Sequence, residues 1–316
     1  MSFTSDIKQE IAFNELKACC YKSELSALVQ LSSSLKITNR VLTLIIKTES
    51  ATTAKRIWKM LKDNYQVETQ LSVIKKMNLK KNNIYEIQVF NKAKEILEDL
   101  CIYSKYGLHD HPPMSFLKKT CCIRAYLAGA FMAIGSCNSP QKSNYHLEFA
   151  TTKEGYAKFI DNLMHKFNMP SKVVKRRNKY VVYLKAADKI SDFLRLVGAH
   201  EALMNFENIR IERDFVSSIV RLDNCELANE QKAFKAIEKQ LKDIKIIQDH
   251  GDIKSIDPKL RQVIDLRIKH ESLTLSELAD MYYQETNDKI SKSGLRHRLN
   301  KIKEIAEKIE SELKYE

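Results

Sequence analysis

The chain has few residues that end helices, and no stretch of it is apolar enough for a membrane. Its 316 residues include only seven glycines, five prolines and one tryptophan. Because glycine and proline interrupt helices, their scarcity predicts short loops and many helices. No segment reaches the ~18 consecutive apolar residues of a membrane span, and the N-terminal segment lacks the apolar run of a signal peptide. We therefore expect a soluble, cytoplasmic protein.

Sequence motifs for metal binding are also missing. No two cysteines have the spacing C-x-x-C, and their number is odd; the seven are Cys19, Cys20, Cys101, Cys121, Cys122, Cys137 and Cys225. Since adjacent cysteines do not supply the spacing of a zinc knuckle, the two doublets indicate small core residues in a reducing cytoplasm. His109 and His111 flank Asp110 and could bind a metal, but a polar loop before two prolines is the favoured interpretation. We expect neither a metal nor a cofactor.

Basic residues outnumber acidic ones. Lysine and arginine total 53 and aspartate and glutamate 40, which gives a formal net charge of +13 and a pI near 9.2. This excess indicates a polyanionic partner, most often a nucleic acid; the alternative is merely the basic surface of a protein from a lysine-rich proteome. A hydrophobic content of 44% predicts packed cores, and the length allows two or three domains.

Two helical segments of related sequence organise the chain. The sequence predicts a helix over residues 124–136 that contains many small residues, among them Gly129 and Gly135. A glycine costs a helix roughly 0.5–1 kcal/mol relative to alanine, so two of them indicate that another backbone approaches closely. Residues 22–35 match this segment after a shift of 102 positions, which places Ala27 on Gly129. The match predicts two similar copies within one chain.

The segment from Leu127 to Gly135 resembles the LAGLIDADG helix of homing endonucleases, matching at Leu127, Ala128, Gly129, Ala133 and Gly135. In that family the eighth residue of the motif is an acid that holds a divalent metal at the scissile phosphate. Here Ile134 has that place, and Ser32 has it in the first copy. Because Mg²⁺ prefers anionic or carbonyl oxygens, the resemblance implies the nuclease scaffold without its metal chemistry. We expect no enzyme activity; an active LAGLIDADG site-specific endonuclease is the alternative.

Hydrophobic periodicity predicts the same order of elements in both copies: a key helix, a strand, a helix, a hairpin and a closing helix. A short charged helix precedes the first copy, and the two copies would form one pseudo-symmetric α+β domain of saddle shape. The predicted elements lie at 5–15, then at 19–34, 42–48, 51–65, 67–90 and 93–100, and in the second copy at 124–136, 145–149, 153–167, 172–184 and 190–197.

The two hairpins carry basic clusters where a concave sheet face would meet DNA phosphates. Solvated hairpin tips are an equally weighted interpretation. The clusters comprise Lys75, Lys76, Lys80 and Lys81 around a turn at 80–83, and Lys172, Lys175, Arg176 and Arg177.

After the second copy, residues 221–229 predict a polar turn that leads into an amphipathic connector helix at 230–248. The turn contains Asn224-Cys-Glu and Ala228-Asn, which resemble a signature of the WhiA family of bacterial transcription regulators.

The C-terminal region predicts an all-α helix-turn-helix domain. Asp257 and Pro258 begin one helix, Thr274 and Glu277 form a capping box at the start of a second, and a long turn at 283–289 follows. Ser291 caps a third helix that runs to about 313. Its first turns carry donors suited to bases and phosphates, although a charged solvent face on a three-helix bundle is the alternative. With Thr274, the predicted DNA-binding residues are Ser291, Lys292, Ser293, Arg296, His297, Arg298, Asn300 and Lys301.

Residues 290–294 and 297–299 also resemble the recognition helix of the WhiA family. That resemblance implies a sequence-specific transcription regulator linked to cell division, chromosome segregation or sporulation. The implied partners are double-stranded DNA at the nucleoid and a protein bound through the N-terminal domain, for a monomer or weak oligomer. The predicted domains are 1–222 (copies at about 1–101 and 118–222), a linker with the connector helix at 223–250, and the helix-turn-helix domain at 251–316.

Overall fold

The chain forms two compact units. The computed structural model describes residues 2–38, 41–75 and 83–313, and the units comprise residues 1–213 and 214–316. The division falls inside one long helix. None of the described helices combines the length and the apolar composition that crossing a membrane requires.

Among the described residues, a short helix precedes the first copy, which contains three helices and a four-stranded sheet. Every hydrogen-bonded pair in this sheet is antiparallel, in the order β1-β2-β4-β3. The elements are α1 (Phe3–Phe13), α2 (Tyr21–Ser32), β1 (Ser33–Thr38), β2 (Val41–Thr48), α3 (Ala51–Tyr65), β3 (Thr69–Lys75), β4 (Asn83–Val89) and α4 (Ala93–Asp99).

The second copy repeats the first. A small ribbon of β5 (Tyr103–Ser104) and β6 (Gly107–Leu108) precedes it. Its sheet has the order β7-β8-β10-β9, the counterpart of the first sheet, so the pseudo-symmetric α+β fold is confirmed. The elements are α5 (Thr120–Ile134), β7 (Gly135–Cys137), β8 (Leu147–Thr151), α6 (Glu154–His165), β9 (Lys172–Arg176), β10 (Lys179–Leu184) and α7 (Ala187–Val197).

Strands β1 and β7 were not expected. Each begins at the residue directly after its key helix, where the sequence predicted more helix. Ser33 pairs with Ile46 of β2, and Gly135 pairs with Phe149 of β8. The neighbouring strand therefore ends the helix, because it offers hydrogen-bond partners to the backbone that follows.

The key helices α2 and α5 pack against each other at Gly129. A Cβ atom added to Gly129 would lie 2.5 Å from the carbonyl oxygen of Glu24 and 3.1 Å from the Cβ of Ala27. The predicted close approach of two backbones is thus confirmed at this glycine. Gly135, the first residue of β7, has another reason to be small: an added Cβ would meet the ring of Phe131 in the preceding helix α5.

Helix α8 runs without interruption from His200 to His250. The predicted polar turn at 221–229 is therefore wrong, whereas the predicted connector helix at 230–248 is present as part of α8. No glycine or proline occurs between these ends to break the backbone pattern. The apolar pattern fades at 221–229 because most side chains there are exposed, not because the helix stops.

The second unit contains three further helices: α9 (Pro258–Lys269), α10 (Leu275–Thr286) and α11 (Lys292–Leu313). They share a hydrophobic core with the last turns of α8, where Ile244 and Ile247 are buried. Most of the predicted apolar face of α11 is in this core, although Leu313 is 44% exposed. The buried residues of α11 are Leu295, Leu299, Ile302 and Ala306.

Candidate nucleic-acid interface

Helix α10 begins with the predicted capping box. The hydroxyl of Thr274 accepts a hydrogen bond from the backbone N–H of Glu277, and the Glu277 carboxylate accepts one from the N–H of Thr274 at 2.8 Å. The hydrogen bond that the backbone N–H of Thr274 donates to the carboxylate lowers the pKa of Glu277. The box leaves Thr274 exposed at the N-terminus of α10, where the helix dipole and unpaired N–H groups favour an anion.

The turn between α10 and α11 is shorter than the sequence suggested. Helix α10 continues to Thr286, so the prediction of a turn over 283–289 is wrong. Asn287 ends the helix in the left-handed conformation, with φ of 55°, and its N–H donates to the carbonyl of Tyr283 at 2.9 Å. Asparagine adopts this conformation more readily than most residues. Asn287 therefore ends α10 at a position where glycine is often found.

Ser291 caps helix α11. Its Oγ accepts a hydrogen bond of 3.1 Å from the N–H of Gly294 and lies 2.9 Å from the Oγ of Ser293. The absence of a side chain at Gly294 leaves room for Ile290, since an added Cβ would be 3.2 Å from the Cγ1 of Ile290. Ile290 packs against the core of the unit and sets where α11 starts.

One face of α11 is polar and exposed, opposite the buried Leu295 and Leu299. Among the described residues, the side chains of Arg296 and Lys301 make no hydrogen bond or ion pair, so their donors are available to a ligand. The exposed predicted residues on this face are Ser291, Lys292, Ser293, Arg296, His297, Asn300 and Lys301.

Arg298 is not part of this exposed face of α11. It is only partly exposed, its Nη1 donates to the Tyr282 hydroxyl at 2.8 Å, and its guanidinium carbon is 5.2 Å from the centroid of the Tyr282 ring. Lys303, on the same flank, forms an ion pair of 3.3 Å with Glu307. Both cations are engaged within the unit, and the membership of Arg298 in the DNA-contacting set stays a prediction.

The hairpins of the first unit display part of the predicted basic clusters. Lys75, Lys172 and Arg177 are exposed; Arg176 is within 3.9 Å of the Glu148 carboxylate, and Lys175 lies over the Tyr180 ring. The cluster members Lys76, Lys80 and Lys81, and most of the turn at 80–83, lie outside the described residues.

At the two positions that correspond to the metal-binding acids of homing endonucleases, this chain has no carboxylate. Ser32 is the last residue of α2 and Ile134 the last of α5. Glu24 of α2 is buried and bound by Arg56, whose Nη2 donates to it at 3.1 Å. Within the described ranges, one group of three or more cysteine, histidine or acidic side chains is close enough to hold a metal. It consists of cysteines at the opposite ends of these helices.

The segment with two histidines is a polar loop. Gln30 donates to the carbonyl oxygens of His109 and Asp110, at 3.0 and 2.8 Å, and the ring of His111 stacks on Phe159. These contacts attach the connection between the copies to α2 and α6.

Three family models match the chain. The WhiA N-terminal LAGLIDADG-like domain matches residues 18–103, the WhiA LAGLIDADG-like domain matches 123–216, and the WhiA C-terminal HTH domain matches 219–306. Together they span most of both units.

Curated relatives and a solved structure are similar along nearly the full length. A "Probable cell division protein WhiA" from Bacillus cytotoxicus is 44% identical over 98% of this chain and 97% of its own length. The protein of the same name from Bacillus licheniformis is 43% identical over 98% of each chain. The crystal structure of full-length DUF199/WhiA from Thermatoga maritima covers 98% of this chain and 99% of its own, with a TM-score of 0.57 at 20% identity. That last similarity concerns the fold.

Proposed function

The chain belongs to the WhiA family, and we propose that it is a sequence-specific DNA-binding regulator of transcription that reads the major groove with α11. The observation that carries the proposal is the exposed polar face of the first turns of α11, opposite its buried apolar face. A helix of this kind, preceded by a capped helix and a short turn, is the arrangement of helix-turn-helix proteins.

The residues on that face differ in what they can recognise. Arg296 and Asn300 are one helical turn apart, and arginine and asparagine form bidentate hydrogen bonds with guanine and adenine, respectively. Lys292 and Lys301 suit phosphates, whose neutralisation makes binding depend on salt. The Thr274 hydroxyl, with the N-terminus of α10, also suits a phosphate, and Ser291, Ser293 and His297 supply further donors. Arg298, whose Nη1 donates a hydrogen bond to the Tyr282 hydroxyl, completes the proposed set of DNA-contacting residues.

The test begins by locating the binding sites of the full chain through genome-wide crosslinking. Binding to DNA from those sites is then measured for Arg296→Ala, which we expect to weaken binding by roughly 1–3 kcal/mol and to relax the preference at one base pair. Lys301→Ala should weaken binding evenly across sequences and reduce the salt slope by about one. Lys308→Ala, an exposed lysine near the end of α11, is the control. Unchanged affinity for Arg296→Ala would reject the assignment of α11.

We further propose that the two domains divide the work. Residues 251–316 would bind DNA, and residues 1–222, with the linker at 223–250, would act as a scaffold for a protein partner or a second DNA segment. The names of the curated relatives support a role in cell division. The proposed role also includes chromosome segregation or sporulation. We propose that the protein acts at the nucleoid in the cytoplasm, as a monomer or a weak oligomer.

The competing hypothesis is a site-specific endonuclease. It requires carboxylates where Ser32 and Ile134 stand, and isoleucine has no metal-binding atom. Incubating the protein with genomic DNA and Mg²⁺ or Mn²⁺ tests it directly. We expect no cleavage; a discrete set of fragments would favour the nuclease.

A further inference from the structure

Four cysteine side chains meet in the first unit, at the ends where helices α2 and α5 begin. The Sγ of Cys19 is 3.8 Å from the Sγ of Cys20 and 3.8 Å from that of Cys121. The Sγ of Cys122 completes the group, and all four sulfur atoms lie within 4.8 Å of one another. We refer to Cys19, Cys20, Cys121 and Cys122 as the cysteine cluster.

The internal repeat creates this cluster. Cys121 follows Cys19 by 102 positions, which is the shift that aligns the two key helices. Each copy therefore contributes one cysteine doublet at the same place, and the packing of α2 against α5 brings the two doublets together. Neither doublet alone has the spacing of a metal-binding motif, but the pair supplies four ligands from two chain segments.

The dimensions fit a tetrahedral metal ion. Zinc binds thiolate sulfur at about 2.3 Å, so the sulfur atoms of a tetrahedral site are about 3.8 Å apart. The distances from the Sγ of Cys19 to those of Cys20 and Cys121 are both 3.8 Å. Disulfide sulfurs lie about 2.05 Å apart, whereas the four cysteines here are free. Four soft sulfur ligands in this geometry select zinc over hard cations such as Mg²⁺.

Three cysteines of the cluster lie where a helix begins. Cys20 is the N-cap of α2, and Cys121 and Cys122 lie in the first turn of α5, where the helix dipole stabilises negative charge. A cavity of about 310 Å³ borders the cluster, and it is lined by the cations Lys17 and Arg124 and by the acids Glu15 and Glu24. Glu24 is already paired with Arg56. The two cations therefore outnumber the remaining acid and offset part of the negative charge that four thiolates retain around a divalent ion.

The pKa values of three of these thiols are shifted, and not all in the same direction. Hydrogen bonds, first from Cys20, lower the pKa of Cys121. Burial raises the pKa values of Cys20 and Cys122. A metal ion would displace protons from the buried thiols, so its binding would weaken as the pH falls.

We propose that the cysteine cluster binds one Zn²⁺ as a structural tetrathiolate site that joins the two copies. Binding converts four thiols and Zn²⁺ into a zinc tetrathiolate and releases four protons. No redox change is involved. The site is separate from the proposed DNA contacts, which lie in the second unit, and from the vacant acid positions at the other ends of α2 and α5.

The first test uses the untagged full chain, purified with a thiol reductant and without chelator. Elemental analysis should find one zinc per chain, and Co²⁺ replacement should give the charge-transfer and d–d absorption of a tetrahedral cobalt thiolate. Thiol counting in the native state should show more reactive cysteines after a strong chelator than before, and the increase should come from Cys19 and Cys121, the two members of the cluster that are not buried. A zinc-free chain that does not take up Co²⁺ with this spectrum, a chain with iron in place of zinc, or a disulfide within the cluster in reductant would each overturn the proposal.

The second test compares two double variants that each lose two thiols. Cys19→Ser/Cys121→Ser removes the two more accessible ligands, and Cys101→Ser/Cys225→Ser is the matched control outside the cluster. The first should lose most of its zinc while keeping the circular dichroism of the folded protein, and the control should keep one zinc per chain. Chelator should lower the thermal midpoint of the wild type and the control, but not that of Cys19→Ser/Cys121→Ser. Equal zinc content in both variants would overturn the assignment even if the folds are intact.

Discussion

The guanidinium of Arg298 donates a hydrogen bond of 2.8 Å to the hydroxyl of Tyr282, and thereby joins α11 to α10. The same hydroxyl donates to the Oε1 of Gln262 on α9 at 2.9 Å. One buried phenol thus connects all three helices that follow α8. The contact links the capped helix α10 to the helix proposed to read DNA.

Tyr282→Phe should therefore destabilise the second unit by about 1 kcal/mol, since Arg298 and Gln262 lose a partner but are partly hydrated. Calorimetry should show a lower midpoint for this unit, by about 4–8 °C on the usual scale for a domain of this size. Tyr283→Phe is the control, because Tyr283 is exposed on the same helix. The fluorescence of Trp58, which lies in the first unit, should report an unchanged transition there.

Asn287 provides a second prediction about the same pair of helices. Asn287→Ala should lower the free energy of unfolding by about 1 kcal/mol, because a Cβ without a local hydrogen-bonding group disfavours positive φ. Asn287→Gly should be neutral or stabilising, since glycine adopts this conformation freely. Denaturant titrations of the two variants, followed by circular dichroism, give the comparison. Equal stability of the two would mean that the left-handed turn is not needed.

Gly129→Ala should destabilise the first unit by about 1–3 kcal/mol, as overpacked cores generally do. The reason is the carbonyl oxygen of Glu24, which is backbone and does not move aside easily. Gly155→Ala, also in a helix, is the control: its added Cβ would meet the flexible side chain of Asp110 at 3.3 Å. Urea titration followed by Trp58 fluorescence measures both variants. A Gly129→Ala protein as stable as the control would contradict the close contact of α2 and α5.

Arg56→Ala should cost about 3–5 kcal/mol, because it leaves the carboxylate of Glu24 buried without its partner. Arg56 also donates to the carbonyls of Ala12 and Asn14, at 2.7 and 2.8 Å, so the loop after α1 loses its anchor. The double variant Glu24→Met/Arg56→Met should recover part of the loss, and a double-mutant cycle isolates the coupling.

The control for this pair is Lys158→Ala, which removes an exposed ion pair with Glu154 on α6. Its urea midpoint should equal that of the wild type, since solvent screens such pairs. If the two single variants behaved alike, the buried ion pair would not contribute to the fold.

Elements with short-range signals were predicted well. The capping box of Thr274 and Glu277, the Asp257-Pro258 start of α9 and the apolar spacing of α11 are all present. Each involves residues at most four positions apart, so one helical turn is enough to form it.

Two segments were predicted wrongly. Strand β1 forms because β2 pairs with it, and this pairing ends α2 two residues earlier than the sequence predicted. Residues 221–229 were assigned to a polar turn, yet the helix continues through them although their side chains are exposed.

The amino-acid sequence by itself determined the internal repeat, the loss of acids at Ser32 and Ile134, and the polar character of the first turns of α11. These are properties of residue identity and spacing, and they persist in any arrangement of the chain. Only the tertiary structure decided that Arg298 binds Tyr282 instead of facing solvent, and that the two cysteine doublets form one group. Both depend on distances between helices, which arise when the apolar faces pack and cannot be read from separation along the chain.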